Sequence, residues 1–282
     1  MSTRYRIEYA LLRGYLGLLK VMGPQAASAT SGAIFGAIGP LMGLSKVGRN
    51  NIARAFPHLT RAEVDKILRG MWNHLGRVVG EYPHLEDIAK NRTTFRNPER
   101  FAPLRGQTTV FFSGHIGNWE VLPPAMLFQQ QITMHSVYRA PNNPSVDALI
   151  VRLRGFGGAL RSFGKNRKGL SETLRALQNG ESVGMLIDQK MNTGIEAMFF
   201  NRPAMTSTAF VELARKLKCP LVPGRIIRTS GCHFEIDLGE AIPVGERPTE
   251  EIIADTHAVL EAWIREYPDQ WLWIHRRWKK GV

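Results

Sequence analysis

The stretch from Thr108 to Glu120, TTVFFSGHIGNWE, places the tightest constraint on how this chain can fold. Its β-branched and aromatic run TVFF is typical of a buried strand, and the Ser-Gly pair that follows ends the strand abruptly. His115 stands just beyond that strand end, and Glu120 follows five residues later. In a continuous helix, five residues would turn the two side chains apart by about 140°. We therefore predict a loop that returns the carboxylate to the imidazole.

A histidine held by a carboxylate can carry out proton transfer. We expect Glu120 to hold one tautomer of His115 and to stabilise the imidazolium that forms when the other ring nitrogen accepts a proton. Gly114 and Gly117 beside the histidine permit backbone conformations and close approaches that a side chain would block. A lone histidine at a strand end is more often a packed or solvated residue than a catalytic one, and it is the flanking glycines and the acid at fixed spacing that favour catalysis here.

Composition limits the classes of protein and partner. The 282 residues are 44% apolar, which suffices for the core of one large or two small domains. Lys and Arg outnumber Asp and Glu by 37 to 24, so the net charge of +13 predicts an anionic partner: nucleic acid, a phospholipid surface or an acidic protein. Cys219 and Cys232 are too few for a disulfide framework and favour a reducing cytoplasmic setting. No spacing of His, Cys and carboxylates forms a ligand set, so we predict no metal and no cofactor.

The first 58 residues are predicted to form a helical, membrane-associating segment. The run from Ala26 to Ser45 has no charge, but it is rich in small residues and carries Pro40, which favours an embedded or surface-lying anchor over a simple span. The preceding segment, Ile7 to Met22, fits an amphipathic helix in the interface. Ordinary packed helices are the alternative. A removable secretory signal is not expected. Basic residues predominate over the single acid, Glu8: Arg4, Arg6, Arg13, Lys20, Lys46, Arg49 and Arg54.

Residues 59–282 are predicted to form one α/β domain with a mixed central sheet flanked by helices. Thr60 and Glu63 form a capping box at the start of an amphipathic helix, and strands alternate with helices from residue 105 onward. A further apolar strand, SVGMLI, ends just before Asp188 and Gln189. Because ligand sites in open α/β sheets lie beyond the carboxyl ends of strands, His115 and Asp188 are predicted to face one cleft.

Two basic segments have more than one interpretation. The run from Val151 to Lys168 has six basic residues interleaved with glycines and no acid, which fits either an anion-binding backbone or a solvated face. Near the C-terminus, PDQWLWIHRRWK combines three tryptophans with a basic cluster. That composition fits a membrane interface, and it would also suit stacking on single-stranded nucleic acid.

Taken in order, these motifs resemble the late acyltransferases of lipid A biosynthesis, the lauroyl- and myristoyl-type enzymes with an H-x-x-x-x-[D/E] motif. The resemblance spans nearly the whole chain. It implies a glycerolipid-acyltransferase-like fold at the cytoplasmic face of the bacterial inner membrane. It also implies transfer of a fatty acyl chain from an acyl carrier protein thioester to a hydroxyl of an anionic glycolipid, a lipid A precursor. The matching segments are NIARAFP at 51–57, HIGNWE at 115–120, YRAPNNP at 138–144, the Arg152/Arg154 pair, Asp188-Gln189, FFNRPA at 199–204 and the C-terminal PDQWLWIHRRWK.

Under this resemblance, His115 is the general base and Glu120 orients it, with no covalent intermediate because a thioester is already activated. Arg152, Arg154 or a backbone N–H near Asn118 would stabilise the carbonyl oxygen as negative charge develops. Loss of either dyad side chain is expected to abolish transfer but not folding. The substrate-contacting residues are expected to be Asn118, Arg139, Arg152, Arg154, Asp188 and Gln189, with Arg139 on a phosphate.

Three alternatives remain at this point. The acceptor could be another glycolipid or a lysophospholipid, because the dyad serves any hydroxyl. A basic nucleic-acid-binding module would explain the charge but not the histidine and carboxylate, so no nucleic acid is expected. A silent membrane scaffold that keeps the dyad is the third. Two features qualify the resemblance. The N-terminal run is only weakly hydrophobic, and the acid of the motif is Glu120, which the family pattern allows but which places the carboxylate one methylene further out than Asp.

Overall fold

The structure, a computed structural model, describes residues 2–191 and 193–278. Helices and strands alternate through most of this length, as predicted. The helices are α1 (Thr3–Val21), α2 (Pro24–Ile38), α3 (Leu44–Ala55), α4 (Arg61–Glu81), α5 (Leu85–Asn91), α6 (Leu122–Gln130), α7 (Pro144–Gly155), α8 (Arg167–Gln178), α9 (Ala209–Leu217) and α10 (Thr249–Glu266). The strands are β1 (Thr93–Phe95), β2 (Val110–Ser113), β3 (Met134–Tyr138), β4 (Ser162–Gly164), β5 (Ser182–Leu186), β6 (Ile195–Phe199), β7 (Arg202–Thr206), β8 (Leu221–Ser230) and β9 (His233–Leu238).

Seven of these strands form one mixed sheet in the order β1-β9-β8-β2-β5-β3-β4. Only the β8–β9 pair is antiparallel, and every other neighbouring pair in the sheet is parallel. Strands β6 and β7 form a separate antiparallel hairpin. The mixed α/β architecture predicted from the alternation of elements is confirmed.

Helices cover both faces of the sheet. The apolar strand β2 shows why, since Phe111 belongs to one core cluster and Phe112 to the other, as the two-residue period of a strand requires. On one face Phe111 packs with α5 and α6, and on the other Phe112 packs with α8, α9 and α10. A parallel sheet that is buried on both faces needs this run of consecutive apolar residues.

The N-terminal helices pack against α4. Thr60 and Glu63 form the predicted capping box at its start. The contact between α2 and α4 is close, because an added Cβ on Gly80 would lie 2.5 Å from the Ala27 carbonyl oxygen. The predicted boundary at residue 58 falls between α3 and α4, and membrane association of residues 1–58 stays a prediction.

Membrane-spanning character is limited in the described helices. None of them alone has both the length and the apolarity to cross a bilayer. Two consecutive segments, Pro24–Leu41 and Leu44–Ala55, meet both criteria only when taken together, and the chain bends by 86° between them.

The C-terminal tryptophans contradict the sequence-based expectation. Their composition fitted a membrane interface or stacking on single-stranded nucleic acid, but Trp271 and Trp273 are fully buried and Trp278 is nearly so. The indole rings of Trp271 and Trp273 pack edge to face with centroids 4.5 Å apart. Buried indole N–H groups need acceptors, and Trp273 donates to the Pro268 carbonyl while Trp278 donates to that of Phe199. The prediction was wrong because the composition of an interface belt and of an aromatic core is the same.

Candidate active site

The register of the parallel strands brings polar residues together at one edge of the sheet. Ser113 at the end of β2 pairs with Leu186 at the end of β5. His115 and Asp188 each lie two residues further on, so both side chains stand beyond the same edge. The prediction that these two strand ends face one cleft is confirmed.

Asp188, and not Glu120, holds the imidazole of His115. The Asp188 carboxylate lies 2.7 Å from His115 Nδ1 and also accepts the His115 backbone N–H at 2.7 Å. Trp271 Nε1 donates a third hydrogen bond at 2.7 Å. With an ionised carboxylate at Nδ1, the proton of a neutral ring is on Nδ1, so Nε2 is left with a free lone pair.

Asp188 is held in its ionised form despite full burial. Burial alone would raise the pKa of Asp188, but the charge of His115 and its hydrogen bonds prevail and hold that pKa well below its usual range. Three N–H donors therefore keep the Asp188 carboxylate negatively charged beside the imidazole of His115.

The predicted contact between Glu120 and His115 is wrong. Glu120 forms a forked ion pair with Arg154, in which Arg154 Nε donates at 2.5 Å and Nη2 donates to the other carboxylate oxygen. Trp119 Nε1 also donates to Glu120, at 2.9 Å. The expectation of a loop was right, but the carboxylate points toward α7, where the partly buried guanidinium of Arg154 provides its counter-charge.

Arg154 is charged in this pair. Burial would lower the pKa of Arg154, but the adjacent Glu120 carboxylate outweighs it and raises that pKa above its usual range. Arg154 also donates to the Tyr82 hydroxyl at 3.0 Å. Because its Nε and Nη2 already have partners, Arg154 is less available to a substrate oxygen than the sequence analysis expected.

The backbone of the loop is fixed from the C-terminal side. Leu272 N donates to the His115 carbonyl at 3.0 Å, and Gly117 N donates to the Gln270 carbonyl at 3.2 Å. Gly117 has φ of +57°, and an added Cβ there would lie 1.7 Å from the Ile226 carbonyl oxygen. Glycine is therefore required at this position by both conformation and space.

The free nitrogen of His115 faces a cavity of about 400 Å³. The His115 side chain is 16% exposed, and its Nε2 lies 3.2 Å from the Gln189 side-chain amide nitrogen. The cavity lies on the side of α6 and α7. Besides His115 and Gln189 it is lined by the Glu120–Arg154 pair and by two basic residues at its mouth, Arg139 and Lys165.

A second cavity of about 460 Å³ lies on the other face of the sheet, toward α8 and α9. Its lining is mainly apolar and includes Leu170, Met185, Ile187, Phe210 and Leu213. The two cavities are adjacent, because five residues line both of them: Val137, Lys165, Met185, Leu186 and Gln189. Of these, Gln189 has its side-chain amide nitrogen 3.2 Å from His115 Nε2.

Three expected substrate contacts do not line these cavities. Asp188 is fully buried behind His115, so it positions the imidazole and does not face the substrate. Arg152 is exposed in a separate surface depression with Gly157 and Arg175. Asn118 is fully buried and its amide donates to Glu81. Arg152 and Arg154 diverge because residues two apart on the helix α7 point about 160° apart.

Sequence reasoning missed three residues of the site. Trp271 was assigned to a membrane surface, although its indole N–H holds Asp188. Lys165 was placed only within a basic run, and Tyr82 was not singled out at all. A signal was available for Lys165, since Tyr138 pairs with Gly164 across β3 and β4 and so sets Arg139 beside Lys165. No local pattern indicates Tyr82.

The sequence model of one protein family, described as bacterial lipid A biosynthesis acyltransferase, matches residues 2–280. The chain belongs to this family of acyltransferases, as the resemblance of its motifs predicted. A search of curated proteins gave no match.

The pairing of Asp188 predicts a pH dependence of stability. Because its folded pKa lies below the ordinary value of about 3.9, ionised Asp188 stabilises the fold above about pH 4, and this contribution is lost as the pH falls toward the folded pKa. The free-energy difference of unfolding between wild type and Asp188→Asn should therefore be on the order of 2 kcal/mol at neutral pH and shrink below about pH 4. Denaturant unfolding at several pH values measures it, and a difference independent of pH would contradict the assignment.

Proposed function

We propose that this cleft transfers a fatty acyl chain from an acyl carrier protein thioester to a hydroxyl of a lipid A precursor. One observation carries the proposal: His115 is held through Nδ1 by Asp188 and directs Nε2 into a cavity that adjoins an apolar one. Membership of the family supplies the reaction class, and the geometry supplies the assignment of roles.

The reaction needs a base for the acceptor and nothing covalent from the protein. His115 Nε2 removes the proton of the acceptor hydroxyl as its oxygen bonds to the thioester carbonyl carbon. Asp188 stabilises the imidazolium, as the acid of a catalytic triad does. The carbon–sulfur bond then breaks, and the imidazolium returns its proton to the leaving thiolate, which restores the neutral ring.

Gln189 is the candidate donor to the carbonyl oxygen. Its amide nitrogen lies 3.2 Å from His115 Nε2, so it occupies the position of the acceptor hydroxyl and has to shift by one hydrogen-bond length on substrate binding. From there the amide N–H can turn to the developing oxyanion, an interaction worth about 2.7–4 kcal/mol. The Glu120–Arg154 pair then forms a neutralised wall of the cavity and does not act on the imidazole.

The cations at the cavity mouth suit an anionic acceptor. Among the described residues, neither Arg139 nor Lys165 has a side-chain hydrogen bond or an ion pair, and both are exposed. A lipid A precursor carries phosphates, which such cations bind. The same charge suits an acidic carrier protein as donor.

We propose that the second, apolar cavity binds the acyl chain. It shares Gln189, which lies beside His115, with the first cavity, so we infer that a chain lying in it would bring its thioester carbon near the imidazole. Its volume of about 460 Å³ is within the range of ligand sites.

Membrane attachment at the cytoplasmic face of the inner membrane is proposed through α1 and α2. The exposed stripe of α1 is apolar, with Ile7, Leu11, Leu18 and Val21 between 55% and 81% exposed. Basic residues seven apart flank this stripe on one side, as they do in helices that lie in the plane of an anionic interface: Arg6, Arg13 and Lys20. The outward face of α2 has no charge and continues to Leu41, which is 86% exposed.

The assignment of catalytic roles predicts that variants of the three residues lose activity to different extents. His115→Ala and Asp188→Asn should each lower kcat by about 10³-fold or more, because one removes the base and the other permits the wrong tautomer. Glu120→Gln should lower kcat less, since Glu120 does not contact the imidazole ring of His115. Transfer of label from radiolabelled acyl carrier protein thioesters measures this, with Asp255→Asn on an exposed turn of α10 as control.

The same assay tests the substrates. A panel of lipid A precursors, other glycolipids and lysophospholipids, each with carrier-protein or coenzyme A thioesters, identifies acceptor and donor. Near-normal turnover by His115→Ala would refute the mechanism, and label only in a lysophospholipid would refute the acceptor.

If the acyl chain lies in the second cavity, the size of that cavity should limit the length of acyl chain that is accepted. Ala209→Leu fills part of it and should lower kcat/KM for the longest accepted chain by about tenfold, because excluding two methylenes loses about 1.6 kcal/mol of burial. Shorter donors should be unaffected. Ala254→Leu, at an exposed position of α10, is the control, and an equal loss for all chain lengths would contradict the placement.

The α1 stripe predicts vesicle binding. Replacing Leu11 and Leu18 together by Glu should weaken binding to anionic vesicles by about a hundredfold or more, since two leucine side chains no longer bury in the interface. Met198→Glu changes an equally exposed apolar residue on the β6–β7 hairpin and should leave binding unchanged. Vesicle co-sedimentation measures both, and equal weakening by the two would refute the assignment of this face.

A further inference from the structure

A buried polar cluster, none of whose residues lines either cavity, contacts the catalytic loop, defined as residues 114–120. Its centre is Glu81, the last residue of α4, whose side chain is fully buried. Arg228 on β8 donates to both of its carboxylate oxygens, and Ser28 on α2 donates to one of them at 2.6 Å. Arg228 thus provides the counter-charge of Glu81, and the carboxylate oxygen Oε2 can still accept one more hydrogen bond.

That donor comes from the catalytic loop. Asn118 Nδ2 donates to Glu81 Oε2 at 2.7 Å, while Asn118 Oδ1 accepts the backbone N–H of Glu120 at 3.1 Å. The amide orientation is fixed, since only its nitrogen can donate to a carboxylate and only its oxygen can accept an N–H. Asn118 thus ties the second half of the loop to α4.

The first half of the loop is tied to the same arginine by another route. Gly117 N donates to the Gln270 carbonyl at 3.2 Å. The Gln270 side chain in turn exchanges two hydrogen bonds with the backbone of Arg228, at 2.9 and 3.0 Å. A closed ring of contacts therefore runs from Glu81 through Asn118, the loop, Gln270 and Arg228 back to Glu81.

This ring of contacts restricts movement of the loop backbone. Gly117 lies against the Ile226 carbonyl so closely that no Cβ fits, and His115 is two residues away. A shift of Asn118 can only be taken up by the backbone that carries the imidazole. Misplacement of a catalytic group by about 1 Å can cost 10²-fold in rate.

Stability alone does not account for a buried ion pair here. Replacing such a pair by apolar side chains is often neutral or stabilising, so its presence is better explained by orientation. The carboxylate is the group in this cluster that accepts from α2, β8 and the catalytic loop at once.

We propose that Glu81 is a positioning residue that, through Asn118, holds the catalytic loop so that His115 Nε2 meets the acceptor hydroxyl. It touches no substrate and acts only through the loop. This inference rests on the proposed function, and it assigns to the last turn of α4 a part in catalysis.

The test compares three variants at a temperature where all are folded, as checked by thermal unfolding. Glu81→Gln weakens the ring at its centre. Asn118→Ala breaks the tie to the loop without leaving Arg228 unpaired, so it serves if Glu81→Gln does not fold. Ser28→Ala removes a buried hydrogen bond to the same carboxylate but touches no part of the loop, and is the matched control.

Glu81→Gln and Asn118→Ala should each lower kcat by about ten- to a hundredfold with KM within about twofold, and Ser28→Ala should leave both unchanged. The double variant should be no worse than the more impaired single one, because both changes break the same tie. The acid limb of the pH profile should stay in place, since Asp188 still holds His115. Unchanged kcat in folded Asn118→Ala, or losses that multiply in the double variant, would overturn the proposal.

A readout independent of activity separates this proposal from the proposed function. The Gly117 and Glu120 amides should exchange hydrogen at least about tenfold faster in Glu81→Gln and Asn118→Ala than in wild type and Ser28→Ala. If the wild type transfers no acyl chain but exchange changes in this way, the reaction is wrong and the tie is right. Exchange that is equal in all four proteins would refute the tie.

Discussion

The hydrogen bond between the Asp188 carboxylate and His115 Nδ1 depends on the parallel pairing of β2 and β5, and the rest of the site depends on it in turn. Two strands far apart in sequence end at the same level, and each is followed at the same distance by one half of the pair. The cost of burying a carboxylate is offset by three N–H donors, one of which comes from Trp271 near the C-terminus. Catalytic geometry here is therefore a property of sheet register more than of any local motif.

This dependence explains which features could be predicted from sequence. Strand ends, the capping box of α4 and the cleft position of Asp188 follow from local patterns and general rules of α/β sheets. The partner of His115 did not follow, because a spacing of five residues makes Glu120 the nearest carboxylate along the chain. Only three-dimensional contacts show that Glu120 pairs with Arg154, because a buried carboxylate needs a nearby cation and this one lies 34 residues away in sequence.

Composition led to a wrong prediction where two structural environments contain the same residue types. Tryptophans with basic neighbours occur in interface belts and in aromatic cores, and the choice between them depends on packing that no short window of sequence encodes. The same holds for the two arginines of α7: they are two residues apart, but helical geometry sends Arg154 inward and leaves Arg152 on the surface. Family motifs, in contrast, carried the reaction class, because they sample the chain from Asn51 to its last described residues.

The involvement of Trp271 has a consequence for the order of folding. The indole of Trp271 and the carboxylate that it holds are 83 residues apart in sequence, and the neighbouring Leu272 N holds the His115 carbonyl. Contacts between residues this far apart have a high entropic cost of loop closure, so they are expected to form late in folding. An intermediate with β2 and β5 already paired but this segment undocked would therefore have the sheet without a fully held Asp188.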